Sequence, residues 1–132
     1  MTQGDTSKRA IAEAFEWLES AKLSLARCDE DSAACNVACS QAIHAIIRAN
    51  DALTLKFLGR KGTRHDDAPA LFAYLMKHSF LAKADEKFAS IIAGAMLKKS
   101  GADYGKESFT KRDAEKLALQ AEDFVHAAKK YV

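Results

Sequence analysis

Apolar residues recur along most of this chain at steps of three and four positions, the spacing of one face of an α-helix. Such a stripe predicts a first helix over residues 7–27, where Asp5, Thr6 and Ser7 offer N-cap oxygens. Its apolar positions are Ile11, Ala14, Phe15, Leu18, Ala21 and Leu25. A longer helix is predicted over residues 32–58, with apolar residues on more than one side. That pattern is typical of a helix in the middle of a bundle.

Three further apolar series follow residues 59–67, a glycine-punctuated segment that we call the basic loop. They consist of Leu71, Phe72, Leu75 and Met76; of Leu81, Ala84, Phe88, Ile91, Ile92, Ala95 and Met96; and of Ala114, Leu117, Ala121, Phe124, Val125 and Ala128. The second series is expected to stop at Gly101, and Thr110 with Asp113 resembles a capping box before the third. The sequence therefore predicts an all-α fold, a single up-and-down bundle of four to five helices that spans residues 1–132 as one domain.

Composition supports this fold prediction and also bears on membrane association and cellular location. The chain has 132 residues, 48% hydrophobic and 29% charged, with six glycines and one proline, which suits one globular domain and leaves few turns for a β-sandwich. Charges interrupt every apolar stretch well short of the ~20 residues that cross a bilayer, so no membrane association is predicted. Three cysteines, Cys28, Cys35 and Cys39, occur without an apolar signal-peptide core at the start. We therefore expect free thiols and a cytoplasmic location.

The formal net charge of +2 is too small to indicate nucleic-acid binding by itself. Its distribution is more informative, because residues 48–64 contain five basic residues and a single acid, Asp51. The basic residues are Arg48, Lys56, Arg60, Lys61 and Arg64. Such a run marks either a solvated face or a phosphate-binding surface.

Within the basic loop, Arg60 and His65 are separated by four residues. Arginine binds a phosphate bidentately and stabilises added charge on it, while histidine accepts or donates a proton near neutral pH. The pair therefore suits RNA cleavage, with Arg60 as phosphate clamp and His65 as general acid or base. Lys61 and Arg64 would add affinity for the RNA backbone.

On the predicted second helix, His44, Arg48 and Asp51 lie about one turn apart and share an edge. Two interpretations are open for this edge. It is either an internally paired polar strip where the bundle meets solvent, or the wall of a groove that accepts phosphate. In the second case His44 and Arg48 are nucleic-acid-binding residues.

No metal site and no cofactor are predicted. Cys35 and Cys39 lie one helical turn apart, but a tetrahedral site needs further ligands, so small buried thiols are favoured. The His65–Asp66 pair also occurs in HD phosphohydrolases, yet here it lies in a basic loop rather than in an apolar helix. No glycine-rich phosphate-binding motif is present in the sequence.

The order of these features resembles the HEPN family. Residues 31–75 are similar to the central part of small bacterial HEPN proteins, where a long Ala-rich helix ends in a Leu-Gly-Arg turn, here residues 58–60. A short polar loop and a His or Asp–His pair then open the next helix. Residues 102–128 are similar to the last segment of the family, a Tyr-Gly turn followed by an Ala-rich amphipathic helix.

The resemblance implies a helical bundle that dimerises and acts on RNA or nucleotides. Many HEPN proteins are metal-independent endoribonucleases that act as toxins, often paired with a small nucleotidyltransferase as antitoxin. Their catalytic residues are an Arg, four to six residues and a His, matched here by Arg60 and His65. In catalytic members the pair lies on a late helix, whereas the region around Tyr104 has no Arg–His pair.

Three hypotheses follow from these observations. The first is a HEPN-type protein that acts on RNA, as a ribonuclease or a toxin component. The alternative is a non-catalytic module that binds a nucleotide or docks a small nucleotidyltransferase, and the third is a structural bundle without a ligand. A symmetric homodimer is also predicted, because the two-sided second helix is expected to leave apolar surface uncovered. Such a dimer would duplicate the basic loop across a shared groove.

Overall fold

Five α-helices form a bundle in this protein, for which a computed structural model describes residues 3–104 and 108–132, the side chains at positions 3, 4 and 65 excepted. The helices are α1 (Gln3–Ala26), α2 (Ser32–Leu58), α3 (Ala68–Lys77), α4 (Phe88–Tyr104) and α5 (Lys111–Lys129). Two short 3-10 helices, His65–Asp67 and Lys83–Lys87, precede α3 and α4. Because the described residues are helical and contain no strand, the predicted all-α bundle is confirmed. None of the described helices has the length and apolar character needed to cross a membrane.

The central position predicted for the second helix is confirmed. α2 packs against α1, α3, α4 and α5, and its small residues allow these neighbours to approach closely. Ala38, Ala42, Ala45 and Ala49 are all fully buried. Of the large apolar residues on α2, Val37 is the exposed one. The surface expected to remain uncovered on α2 is therefore covered within one chain, and that argument for a dimer fails.

The helix ends follow local side-chain chemistry. The Asp31 carboxylate accepts a hydrogen bond from the N–H of Ala33 at 2.9 Å and caps α2. α2 ends at Gly59, whose φ of 73° lies in the left-handed region that favours glycine. At α5 the predicted capping box is present, since Thr110 and Asp113 exchange side-chain hydrogen bonds with each other's N–H.

Two predicted boundaries are wrong. α1 begins at Gln3, four residues before the predicted start at residue 7, and Ser7 is buried inside the helix rather than capping it. α4 continues through Gly101 to Tyr104. A glycine inside a helix costs only about 1 kcal/mol relative to alanine, and Gly101 is buried, so packing outweighs its weak helix propensity.

The hydrophobic core draws on all five helices. A single cluster of buried side chains includes Leu18 of α1, Ile46 of α2, Phe72 of α3, Ile92 of α4 and Phe124 of α5. Leu18, Phe72, Ile92 and Phe124 lie on the predicted apolar stripes, and Ile46 is one of the apolar residues of the predicted second helix. The apolar pattern therefore identifies most of the core, but Ala84, which was placed on the second series, is exposed and lies in the 3-10 helix before α4.

The expectation of three free thiols is wrong. Cys28, in the turn after α1, and Cys35, in the first turn of α2, form a disulfide with their Cα atoms 4.8 Å apart. The turn folds α2 back along α1, which brings together two cysteines seven positions apart. Cys39 remains free and buried, and its burial raises the pKa of the thiol to about 12. The cytoplasmic location, which was inferred from free thiols, loses that basis and stays a prediction.

We expect the disulfide to stabilise the fold by about 2 kcal/mol, because it restricts the conformations of the unfolded chain. The value is at the low end of the usual range because the loop that the bond closes is short. Urea denaturation of the native protein should show a lower midpoint after treatment with a phosphine reductant. Cys28→Ser with Cys35→Ser should lower the midpoint equally and abolish the effect of the reductant. Cys39→Ala serves as the control, since it should keep the full response to reduction. Equal midpoints for oxidised and reduced wild type would contradict the stabilising role of this bond.

Candidate functional site

The first half of the basic loop presents two exposed cations. Because Gly59 ends α2 by turning into the left-handed region, the chain leaves the bundle at this point. The next two residues, Arg60 and Lys61, are exposed. Within the described part of the chain, neither side chain has an ion-pair or hydrogen-bond partner. Both charges are therefore available to an external anion.

The second half of the loop is held by its own contacts. The backbone N–H of Arg64 donates to the Asp67 carboxylate at 3.2 Å, and the Arg64 guanidinium pairs with Asp66 at 3.0 Å. Gly62 packs closely against this turn, because a Cβ added there would lie 3.1 Å from the carbonyl oxygen of Arg64 and from Leu71. The predicted phosphate ligand Arg64 thus has an internal partner. The same contacts hold the backbone of the turn that follows Arg60 and Lys61.

His65, the predicted general acid or base, is the first residue of the 3-10 helix His65–Asp67. Its side chain lies outside the described residues. The structure therefore places the backbone of Arg60 and His65 in the same loop, and their catalytic pairing stays a prediction.

A pocket of about 420 Å³ lies between the basic loop and α4, and we call it the loop–α4 pocket. The loop contributes Thr63 and Asp66, and α4 contributes Met96, Lys99, Ser100 and Tyr104. Tyr104 is 72% exposed. An exposed aromatic ring suits stacking with an unpaired nucleobase, whereas the charged residues of the lining already have partners: Lys99 pairs with Asp103 and Asp66 with Arg64.

A cluster of four polar side chains joins α2 to α4 next to this pocket, and we call it the α2–α4 polar cluster. Asp103 is its centre: it accepts hydrogen bonds from Ser40 at 2.5 Å and from Lys99 at 2.6 Å, and His44 Nε2 lies 3.5 Å from Oδ1. Partial burial alone would raise the pKa of Asp103, but the hydrogen bonds from Lys99 and Ser40 outweigh it and lower the pKa below 3.8. Asp103 is therefore an ionised anchor between the helices.

His44 and Arg48, the predicted nucleic-acid-binding residues of α2, both have contacts within the chain. The His44 ring stacks on Trp17 of α1 with centroids 4.8 Å apart. Arg48 pairs with Glu13 at 3.3 Å and with Asp51 at 3.1 Å. These contacts favour the internally paired polar strip over the open phosphate groove.

Sequence reasoning missed Ser40, Lys99 and Asp103. Part of the signal was present, because Ser40 and His44 on α2, and Lys99 and Asp103 on α4, are each four residues apart and so lie on one face. The contact between the two pairs depends on how α4 crosses α2, which spacing within a helix does not reveal.

The comparisons with known proteins do not extend this picture. No protein-family model matches the chain, and no curated protein matches it either. Among the described residues, no three His, Cys, Asp or Glu side chains are grouped so as to hold a metal ion. The resemblance to HEPN proteins therefore rests on the sequence pattern alone.

Proposed function

We propose that this protein is a HEPN-type RNA-binding protein whose basic loop holds the phosphate backbone. The observation that carries the proposal is the exposure of Arg60 and Lys61, without ion-pair partners in the described part of the chain, in the same loop that lines the loop–α4 pocket through Thr63 and Asp66. Two adjacent unpaired cations suit a polyanion whose charges repeat along a strand. The internally paired Arg48 and Arg64 would contribute less.

The loop–α4 pocket supports RNA over an isolated anion. Its volume of about 420 Å³ falls within the range of small-molecule sites, and Tyr104 offers a ring on which a base can stack. Phosphates on Arg60 and Lys61 would direct an adjacent unpaired base towards this ring. We therefore expect a preference for single-stranded segments over continuous duplex.

Fluorescence anisotropy with a labelled single-stranded RNA tests the proposal directly. For two phosphate contacts on a single strand, the logarithm of affinity should fall with the logarithm of salt concentration with a slope of about −1.4. Replacing both cations, Arg60→Glu with Lys61→Glu, should weaken binding at low salt at least about tenfold and flatten this slope.

Arg112→Glu with Lys116→Glu is the matched control for this experiment. It makes the same change in charge at exposed positions of α5. The Lys111–Asp29 pair of 2.8 Å places the start of α5 beside the α1–α2 turn, away from the loop that follows the other end of α2. If both double variants lose the same affinity, binding reflects net charge and the basic loop is not the site.

Cleavage of the bound RNA is the second candidate function, favoured by the position of Arg60 and His65 in one loop. In metal-independent cleavage the 2′-oxygen bonds to phosphorus and the bond to the 5′-oxygen breaks. One proton leaves the 2′-hydroxyl and one reaches the 5′-oxygen, which are roles for a histidine. We expect cleavage in the presence of a chelator, products with 2′,3′-cyclic phosphate ends, and loss of both in His65→Ala. Intact RNA that stays bound to wild type would instead support the non-catalytic binding module.

A homodimer formed through α4 is also part of this proposal. The outer face of α4 is apolar and uncovered: Leu97 is 84% exposed, Ala93 is exposed, and a Cβ added at Gly94 would meet nothing within 4 Å. Small residues beside a leucine allow a second helix to approach closely. Because α4 also lines the loop–α4 pocket, a two-fold contact there would bring two basic loops to one surface. A small nucleotidyltransferase as partner and a toxin role follow from the resemblance alone and stay predictions.

Light scattering coupled to size-exclusion chromatography should give the mass of two chains at micromolar concentration for wild type. Leu97→Glu should give the mass of one chain, because it places a charge in the apolar contact. Leu119→Glu, which changes a leucine of α5 that is 63% exposed, should remain dimeric. A monomeric wild type would end the dimer proposal and leave RNA binding to be judged on the single loop.

A further inference from the structure

A second pocket, of about 610 Å³, lies between α3 and the start of α4, and we call it the α3–α4 pocket. None of its lining residues belongs to the basic loop or to the loop–α4 pocket. Its apolar lining comes from Ala73 and Met76 of α3, from Leu81 and from Ala89 of α4. Two of these four are alanines, so the space is left open by short side chains. Such a pocket accepts an apolar body of modest size.

The polar residues of this pocket carry a net charge of +1. Lys77 and Lys83 are exposed at its edge, together with Glu86. Within the described residues none of these three side chains has an ion-pair partner. Two cations and one carboxylate favour a ligand with a single negative charge and disfavour polyanions by repulsion from Glu86. This preference differs from that of the basic loop, where Arg60 and Lys61 stand without an adjacent acid.

The fourth polar residue of the pocket, Ser79, has a strained backbone. It follows α3 with a φ of 60°, the one non-glycine residue with positive φ in the described chain. The hydrogen bonds from Ser79 N–H to Met76 and from Phe80 N–H to Leu75 form a Schellman motif, in which this position is normally glycine. A serine here costs stability that glycine would not. Ser79 lines the pocket, and a serine hydroxyl can donate a hydrogen bond to a ligand.

We propose that the α3–α4 pocket binds a small amphiphilic monoanion, with its apolar body on Met76 and Leu81. The anionic group lies between Lys77 and Lys83 and accepts a hydrogen bond from Ser79. A medium-chain carboxylate and an alkyl sulfate share this chemistry, because each has a single negative charge at neutral pH. The proposal does not depend on RNA binding, because the two sites have no residue in common.

Isothermal titration calorimetry of the full chain with octanoate, octyl sulfate and 1-octanol tests the site. We expect both anions to bind at least about tenfold more tightly than the alcohol, in line with the worth of a charge-assisted hydrogen bond. The tighter of the two anions identifies the headgroup. Pyrophosphate should neither bind at this site nor displace octanoate. Three results would each overturn the proposal. Octanol could bind as tightly as octanoate, pyrophosphate could displace octanoate, or neither anion could bind at millimolar concentration.

Three variants localise the binding and separate it from folding. Ala73→Phe should fill the pocket and abolish octanoate binding, whereas Ala70→Phe, at an exposed position of α3 outside the lining, should leave it unchanged. Ser79→Gly should raise the melting temperature, because it relieves the strained φ. It should also lower the affinity for octanoate several-fold, because the hydroxyl is lost. A Ser79→Gly protein that is more stable and binds octanoate like wild type would remove Ser79 from the site. Equal binding by Ala73→Phe and wild type would remove the pocket itself.

Discussion

Phe124→Ala is expected to lower the free energy of unfolding by about 4 kcal/mol, the typical cost of truncating a buried phenylalanine. The side chain of Phe124 is 1% exposed. Its ring meets Phe72 of α3 edge-on at 5.9 Å and Phe88 of α4 at 5.3 Å between centroids. Truncation therefore removes contacts to two helices at once and leaves a cavity that backbone relaxation fills only in part.

Chemical denaturation followed by circular dichroism measures this effect. Leu119→Ala, on the same helix but 63% exposed, should change the free energy of unfolding by less than about 0.5 kcal/mol. The loss in free energy of unfolding for Phe124→Leu should lie between those of Phe124→Ala and Leu119→Ala, because leucine keeps most of the buried volume. A cost below about 1 kcal/mol for Phe124→Ala would mean that α5 does not pack on α3 and α4 through this ring.

Asp103→Ala is expected to destabilise the protein by about 3 kcal/mol, because it leaves partners of a partly buried carboxylate without an acceptor. The Asp103 side chain is only 15% exposed, and it accepts from both Ser40 and Lys99. Removing it abolishes the contacts of Asp103 with Ser40 and His44, which join α4 to α2 at the α2–α4 polar cluster. Glu122→Gln is the control, since Glu122 pairs with Lys22 at a more exposed site, where an ion pair contributes less than about 1 kcal/mol.

The effect of Asp103 should depend on pH in a definite direction. Partial burial works against the charged form, but Lys99 and Ser40 hold the folded-state pKa of Asp103 below its ordinary value of 3.8. Its stabilisation is therefore complete above that pH and is lost as the pH falls through the lower folded-state pKa. The gap in urea midpoint between wild type and Asp103→Asn should be large at pH 6 and shrink towards about pH 2. A gap that is constant across this range would show that the charge of Asp103 plays no part.

Part of the candidate site, namely the residues of the basic loop, could be predicted from the sequence. Arg60, Lys61, Arg64 and His65 were found because arginine and histidine have recognisable phosphate chemistry and lie close together in the chain. Residue spacing did not indicate that Arg64 would pair with Asp66 while Arg60 and Lys61 remain without a partner in the described part of the chain. This difference between the paired Arg64 and the exposed Arg60 and Lys61 depends on the backbone path of the turn around Gly62.

The sequence by itself determined the helices, the core and the central place of α2. These follow from periodic apolar positions and from local capping by Asp31, Gly59 and Thr110, because helix hydrogen bonds and caps join residues only a few positions apart. Only the tertiary structure decided what the helices bring together. The disulfide of Cys28 with Cys35 and the contacts of Asp103 with Ser40 and His44 depend on the turns and crossing angles of packed helices. Those angles are set by the packing of many side chains at once, so no short stretch of sequence records them.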